Sequence, residues 1–126
     1  MKFLPKTAFL LIAATFAFAA HAQELTGTLK KIKDSGTIVL GTRESSGALA
    51  YTLGDGKYVG FHTEMGEKIA ADIQKQLKMP KLDVKFQPVT SQNRIPLMQN
   101  GTVDLECGST TNNAARQKDV AFAMTT

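Results

Sequence analysis

Between Thr63 and Leu77 the apolar residues Met65, Ile69, Ile73 and Leu77 recur every four positions, and just beyond them Leu82, Val84 and Phe86 alternate with Asp83 and Lys85. A hydrophobic period that switches from about 3.6 to about 2 predicts a helix followed by a strand. This switch recurs along the chain. Thr28 to Asp34, with Leu29 and Ile32 three apart, reads as a short amphipathic helix, and Gly36 stands where a helix C-terminus takes a left-handed residue. Thr37-Ile38-Val39-Leu40, closed by Gly41, is a run suited to a strand buried on both faces. Ile95, Leu97 and Met98 give a helical face ending at Asn100-Gly101, with Pro96 tolerated in the first turn of a helix that begins around Asn93. Val103 to Cys107 reads as the next strand, Ala114 to Lys118 as one helical turn, and Val120 to Met124 as the start of a further strand.

Strands alternating with helices predict an α/β fold, a mainly parallel sheet flanked by helices. One segment departs from that rhythm. Tyr51 and Leu53 lead into Gly54-Asp55-Gly56-Lys57, and Tyr58-Val59-Gly60-Phe61 continues beyond, which predicts a β-hairpin. Thr63 or His62 is the expected cap of the long helix, and Pro80 follows its end.

The N-terminus has a different character. Lys2 and Lys6 precede an apolar run from Ala8 to Ala19 broken only by Thr15, and Ala20-His21-Ala22 fits a small-x-small cleavage signal. Residues 1–22 therefore read as a secretory signal peptide, leaving 23–126 as the working part. The run is shorter than the roughly 20 residues a spanning helix needs. Of 15 Lys and Arg against 11 Asp and Glu, Lys2 and Lys6 leave with the leader, so the net charge falls from +4 to +2. The remaining lysines are scattered and not interleaved with aromatics, which argues against a nucleic-acid partner. Cys107 is the single cysteine, excludes an intrachain disulfide within this sequence, and reads as a small buried hydrophobe. His21 and His62 have no ligating neighbours at useful spacing, so no metal site or cofactor is expected.

Two polar clusters interrupt the apolar pattern. Thr90-Ser91-Gln92-Asn93-Arg94 follows the strand around Phe86, and Gly108-Ser109-Thr110-Thr111-Asn112-Asn113, with Arg116 beyond, follows Val103 to Cys107. Strand ends feeding helix starts are where α/β proteins put ligands, and arginine with hydroxyls there suits a carboxylate. Asn93 or Ser91 at one helix start, and Thr111 to Asn113 at the next, would aim N–H groups and partial positive charge into one crevice. Each residue also has a plainer use. Arg43 can bond Glu44, Ser91, Ser109 and Thr111 can be caps, and Arg116 can pair with Asp119.

The run from Thr90 to Asp104, and that from Glu106 to Asn113 with Arg116, closely resemble the glutamate/aspartate-binding proteins of bacterial ABC importers, within the polar amino-acid solute-binding family (family 3). Gly41 to Ser46 resembles the loop after that family's first strand, and Gly60 to Ile73 its signature helix, with His62 where the family usually has Asp or Glu. The likeness runs from about Leu29 to Ala123. It implies the first lobe of a type II periplasmic-binding-protein fold, incomplete, with the sequence stopping before the second lobe. It implies a periplasmic receptor, monomeric at full length, that binds L-glutamate or L-aspartate and serves an inner-membrane ABC permease without chemistry. Arg43, Arg94 and Ser91 resemble the group that recognises the side-chain carboxylate. Arg116, with Ser109 and Thr111, resembles the group for the α-carboxylate and part of the amino group. Two other classes use the same lobe, a periplasmic amino-acid lyase and the sensor domain of a receptor. For the lyase, Glu44 and Glu106 are the nearest carboxylates, and Glu106 sits within a strand run with no His or Lys beside it, so no base is expected.

Overall fold

A computed structural model describes residues 24–124; the expected leader lies outside the described residues. Helix α1 (Gly27–Ser35) ends as expected, with Gly36 at φ 68° and its N–H bonded to Ile32 O at 2.9 Å. Strand β1 (Thr37–Thr42) follows and continues through Gly41. The hairpin forms from β2 (Tyr51–Gly54) and β3 (Lys57–Val59), a two-stranded sheet of its own. Tyr58 carries it onto the main sheet by packing against Phe86, ring centroids 5.4 Å apart.

Helix α2 (Phe61–Gln76) starts earlier than the periodicity implied, and neither His62 nor Thr63 caps it. The cap position is Gly60, at φ 115°, where a Cβ would stand 2.7 Å from the Leu49 carbonyl oxygen. Only glycine fits a backbone both left-handed and in close contact with a neighbouring chain. Thr63 is instead buried inside the first turn, its hydroxyl 3.4 Å from both Val59 O and Thr42 Oγ1, and so joins the helix to the end of β1.

Strand β4 (Asp83–Pro88), helix α3 (Arg94–Gln99) and strand β5 (Leu105–Glu106) complete the main sheet. Its order is β4-β1-β5, all parallel, with Thr42 opposite Pro88 and Gly41 opposite Glu106. The chain adds β4 on one side of β1, then crosses to add β5 on the other, so the direction of winding reverses between β1 and β5. On one face, Ile32, Ile38, Leu40, Ala70 and Leu77 form the buried core with Val84, Phe86 and Leu105 against them. Gly66 lets α2 approach closely, since a Cβ there would meet Leu40 Cδ1 at 3.3 Å. Gly41 does the same for the other side of β1, where a Cβ would stand 2.9 Å from Val103 and 3.3 Å from Val89.

Two expected strands differ. β5 is two residues long, not the five from Val103 to Cys107. Just ahead of it, Asp104 Oδ2 accepts the Val39 N–H at 2.9 Å, so a side chain occupies a donor that a backbone carbonyl would take in a longer ladder. The same carboxylate holds Lys31 at 2.7 Å. Val120 to Met124 forms no strand. It lines a cavity of about 350 Å³ together with Leu105 to Gly108. The expected helical turn is present as a short 3₁₀ turn (Arg116–Lys118). No described helix is long and apolar enough to cross a membrane.

Candidate functional site

Parallel strands place their C-terminal ends on one edge, which gathers three loops distant in sequence. Arg43 follows β1, Thr90 to Asn93 follow β4, and Cys107 to Thr111 follow β5. The reversal of winding between β1 and β5 falls at this edge, where open α/β sheets leave a crevice for ligands.

Ser91 is the meeting point. Arg43 donates from Nε to Ser46 Oγ at 2.8 Å and from Nη1 to Ser91 Oγ at 3.1 Å. Arg94 Nη2 donates to the same Ser91 oxygen at 3.2 Å. Ser91 is no helix cap; Thr90 and Asn93 instead satisfy each other, Thr90 N–H to Asn93 Oδ1 at 2.7 Å and Asn93 N–H to Thr90 Oγ1 at 3.3 Å. A hydroxyl has two acceptor lone pairs and one hydrogen. With two guanidinium donors on its oxygen, Ser91 has its hydrogen left for an acceptor that enters the site.

Arg94 is 6% exposed, unusual for arginine unless paired. Its Nη1 donates to Thr110 Oγ1 at 2.5 Å and to Glu106 Oε1 at 3.4 Å, while the Thr110 hydroxyl donates to Glu106 Oε2 at 2.8 Å. Glu106 is also buried, 9% exposed at its side chain, so this ion pair is sheltered from solvent. The sequence offered Thr110 only as a member of a polar cluster and Glu106 only as a nearby carboxylate, and neither was among the expected ligand-binding residues. The available signal was a carboxylate in the last residues of an apolar strand run, a position that needs a buried partner.

The second group is looser. Arg116 Nη1 donates to the Thr111 carbonyl at 3.0 Å, and its backbone N–H bonds Asn113 Oδ1 at 3.0 Å. Ser109 and Thr111 are exposed on the same loop. The plainer pairings of both outer arginines are absent among the described residues. Asp119 accepts from Gln99 Nε2 at 3.2 Å, and Glu44 accepts from Tyr58 OH at 3.4 Å. The expected helix-end fields contribute little, because α3 has six residues and the turn at Arg116 has three. The positive charge of the site comes from guanidiniums.

Cys107 sits beside these groups as a half-buried free thiol. Burial first, and the Glu106 charge second, push its pKa up. A thiol so placed is a poor nucleophile and fits the packing role read from the sequence. His62 Nδ1 is buried without a hydrogen-bond partner among the described residues. No cluster of potential metal ligands occurs among them either.

Comparison with known proteins matches the chain to a family. The model of the bacterial extracellular solute-binding proteins, family 3, matches residues 38–126. The chain is 51% identical over 116 residues to the L-glutamate/L-aspartate-binding protein of Pseudomonas aeruginosa, covering 90% of this chain and 38% of that protein. It is 49% identical over 124 residues to the glutamate/aspartate import solute-binding protein of Escherichia coli, covering 96% of this chain and 41% of that one. Among solved structures, the solute receptor for L-cysteine of Neisseria gonorrhoeae superposes with a TM-score of 0.66 at 28% identity, over 78% of this chain and 38% of that chain. The chain thus spans about two fifths of the length of the curated relatives it matches. Its α/β lobe, with a parallel sheet, is part of a type II periplasmic-binding-protein fold, and the chain belongs to the bacterial extracellular solute-binding proteins, family 3.

Proposed function

We propose that this chain is the first lobe of a periplasmic receptor that captures L-glutamate or L-aspartate and presents it to an ABC permease, monomeric as the complete protein and exported by cleavage after Ala22. The observation that carries the reading is the single Ser91 oxygen shared by two guanidiniums at 3.1 and 3.2 Å. Such a cluster is costly when empty and suits an incoming anion with no hydrogen to donate. Arg43, Arg94 and Ser91 take the distal carboxylate of the ligand. Arg116, Ser109 and Thr111 take its α-carboxylate and part of its amino group. A dicarboxylate needs two separated cationic groups, and arginine supplies the planar paired donors that match carboxylate geometry. Glutamine would exchange charge-assisted hydrogen bonds, worth about 1.5–3 kcal/mol each, for neutral ones of about 0.5–1.5 kcal/mol.

A catalytic reading has less support. The Glu106 carboxylate is engaged by Arg94 and Thr110, and the Glu44 carboxylate accepts from Tyr58, so neither is placed as a free base. The relatives at 49–51% identity are named as binding proteins. Calorimetry on the complete gene product tests the proposal. Glutamate and aspartate bind, and glutamine binds at least roughly tenfold more weakly. Equal affinity for glutamine, or no binding of either acid, refutes it.

A further inference from the structure

Glu106 poses a problem for a site built to take a carboxylate, because it places a resident carboxylate against one of the binding arginines. Its contacts show how both can coexist. Glu106 and Thr110 occupy Nη1 of Arg94, while Ser91 sits on Nη2. The resident acid thus holds one branch of the guanidinium fork and leaves the second Nη2 hydrogen free. Thr110 closes the arrangement by accepting from Arg94 and donating to Glu106, so the guanidinium cannot turn without breaking the bonds of its Nη1 to both Thr110 and Glu106.

The charges explain why such a group is needed. Arg43 Nη1 and Arg94 Nη2 both reach one oxygen, so these two nitrogens are separated by no more than the combined length of the two bonds. Two cations this close repel, and the Arg94 and Glu106 side chains, 7% and 9% exposed, are poorly screened by water. With Glu106 present, the three charged groups sum to one positive charge, the complement of a single carboxylate.

We propose that Glu106 is the resident counter-charge of the Arg43–Arg94 pocket, a positioning residue that fixes Arg94 through Thr110 and tempers the pocket's attraction for anionic ligands. The inference rests on the distal-carboxylate reading above. Glu106 stabilises the empty site and weakens the hold on an acidic side chain relative to what two bare guanidiniums would give. Ligand release from a receptor requires such moderation.

The test uses the complete gene product, with calorimetry of L-glutamate and L-glutamine on wild type, Glu106→Gln and Thr110→Val. Glu106→Gln keeps the shape and removes the charge. The glutamate-to-glutamine affinity ratio rises by about tenfold or more, and the ligand-free melting temperature falls. Thr110→Val keeps both charges but loosens Arg94, so its ratio falls, by about threefold or more. A purely structural role would lower the melting temperature and weaken both ligands together. A flat or falling ratio in Glu106→Gln overturns the inference, as does a Thr110→Val ratio that stays flat or rises. If Glu106→Gln does not fold without ligand, Thr110→Val alone decides, and an unchanged or rising ratio overturns the inference. Wild type that binds glutamate and glutamine equally overturns the underlying reading as well. Wild type that prefers glutamate, with no change in Glu106→Gln, overturns this inference only.

Discussion

Truncating Ser91 to alanine separates binding from folding. In the ligand-free protein the loss is small. Arg94 keeps Thr110 and Glu106, Arg43 keeps Ser46, and Ser91 itself is exposed, so water can replace the missing hydroxyl. The expected destabilisation is about 1 kcal/mol or less. The liganded protein loses more. The oxygen that fixes Arg43 at 3.1 Å and Arg94 at 3.2 Å disappears, and with it the donor that faces the incoming carboxylate. One hydrogen bond to a charged group contributes about 1.5–3 kcal/mol, so the Kd for glutamate rises roughly 10- to 150-fold. For glutamine the lost bond is neutral, about 0.5–1.5 kcal/mol, and the Kd rises roughly two- to twelvefold. Calorimetry with both ligands, and urea unfolding without ligand, read the two effects independently. A glutamate Kd within about threefold of wild type refutes the shared-oxygen account, and a stability loss above about 2 kcal/mol refutes the claim that Ser91 is dispensable for folding.

Asp104→Ala acts on stability alone. It leaves the Val39 N–H without its acceptor, at about 1–3 kcal/mol, and removes the half-exposed Lys31 pair, worth about 1 kcal/mol at most. Asp104→Asn keeps the acceptor and costs about 1 kcal/mol; equal losses for the two variants in urea unfolding would contradict this division. Cys107 sets a pH dependence. Its folded pKa is raised by burial and by Glu106 above the unfolded value near 9.0, so the neutral thiol contributes stability that is fully present below that value and is lost as pH rises through the folded pKa. Iodoacetamide at pH 8 therefore alkylates the folded protein more slowly than the urea-unfolded chain. Equal rates would show that the thiol is open.

Features set by neighbouring residues were legible before the structure. The Gly36 stop, the Gly54 to Lys57 turn, the Ile69–Ile73 period of α2 and the alternation in β4 each depend on neighbours a few positions apart. The motifs around Ser91, Arg94 and Arg116 were equally visible, because residue types and spacings carry a family resemblance without coordinates. Errors arose where the answer depended on a distant segment. Thr63 looked like a cap, but Gly60 holds that place because the Leu49 carbonyl stands against it. Val103 to Cys107 looked like a full strand, but the Asp104 side chain takes a ladder donor. Val120 to Met124 had strand composition but forms no strand.

The sequence by itself determined the types of most elements, the family and the choice of arginine and hydroxyl groups, since these follow from local periodicity, turn chemistry and motif. The tertiary structure alone decided that one Ser91 oxygen bridges Arg43 and Arg94, and that Glu106 holds the other branch of Arg94. Those contacts join residues brought together by parallel strands that end on one edge. The strength of the Arg94–Glu106 pair comes from exclusion of water around a buried guanidinium, which depends on what the whole fold packs against it.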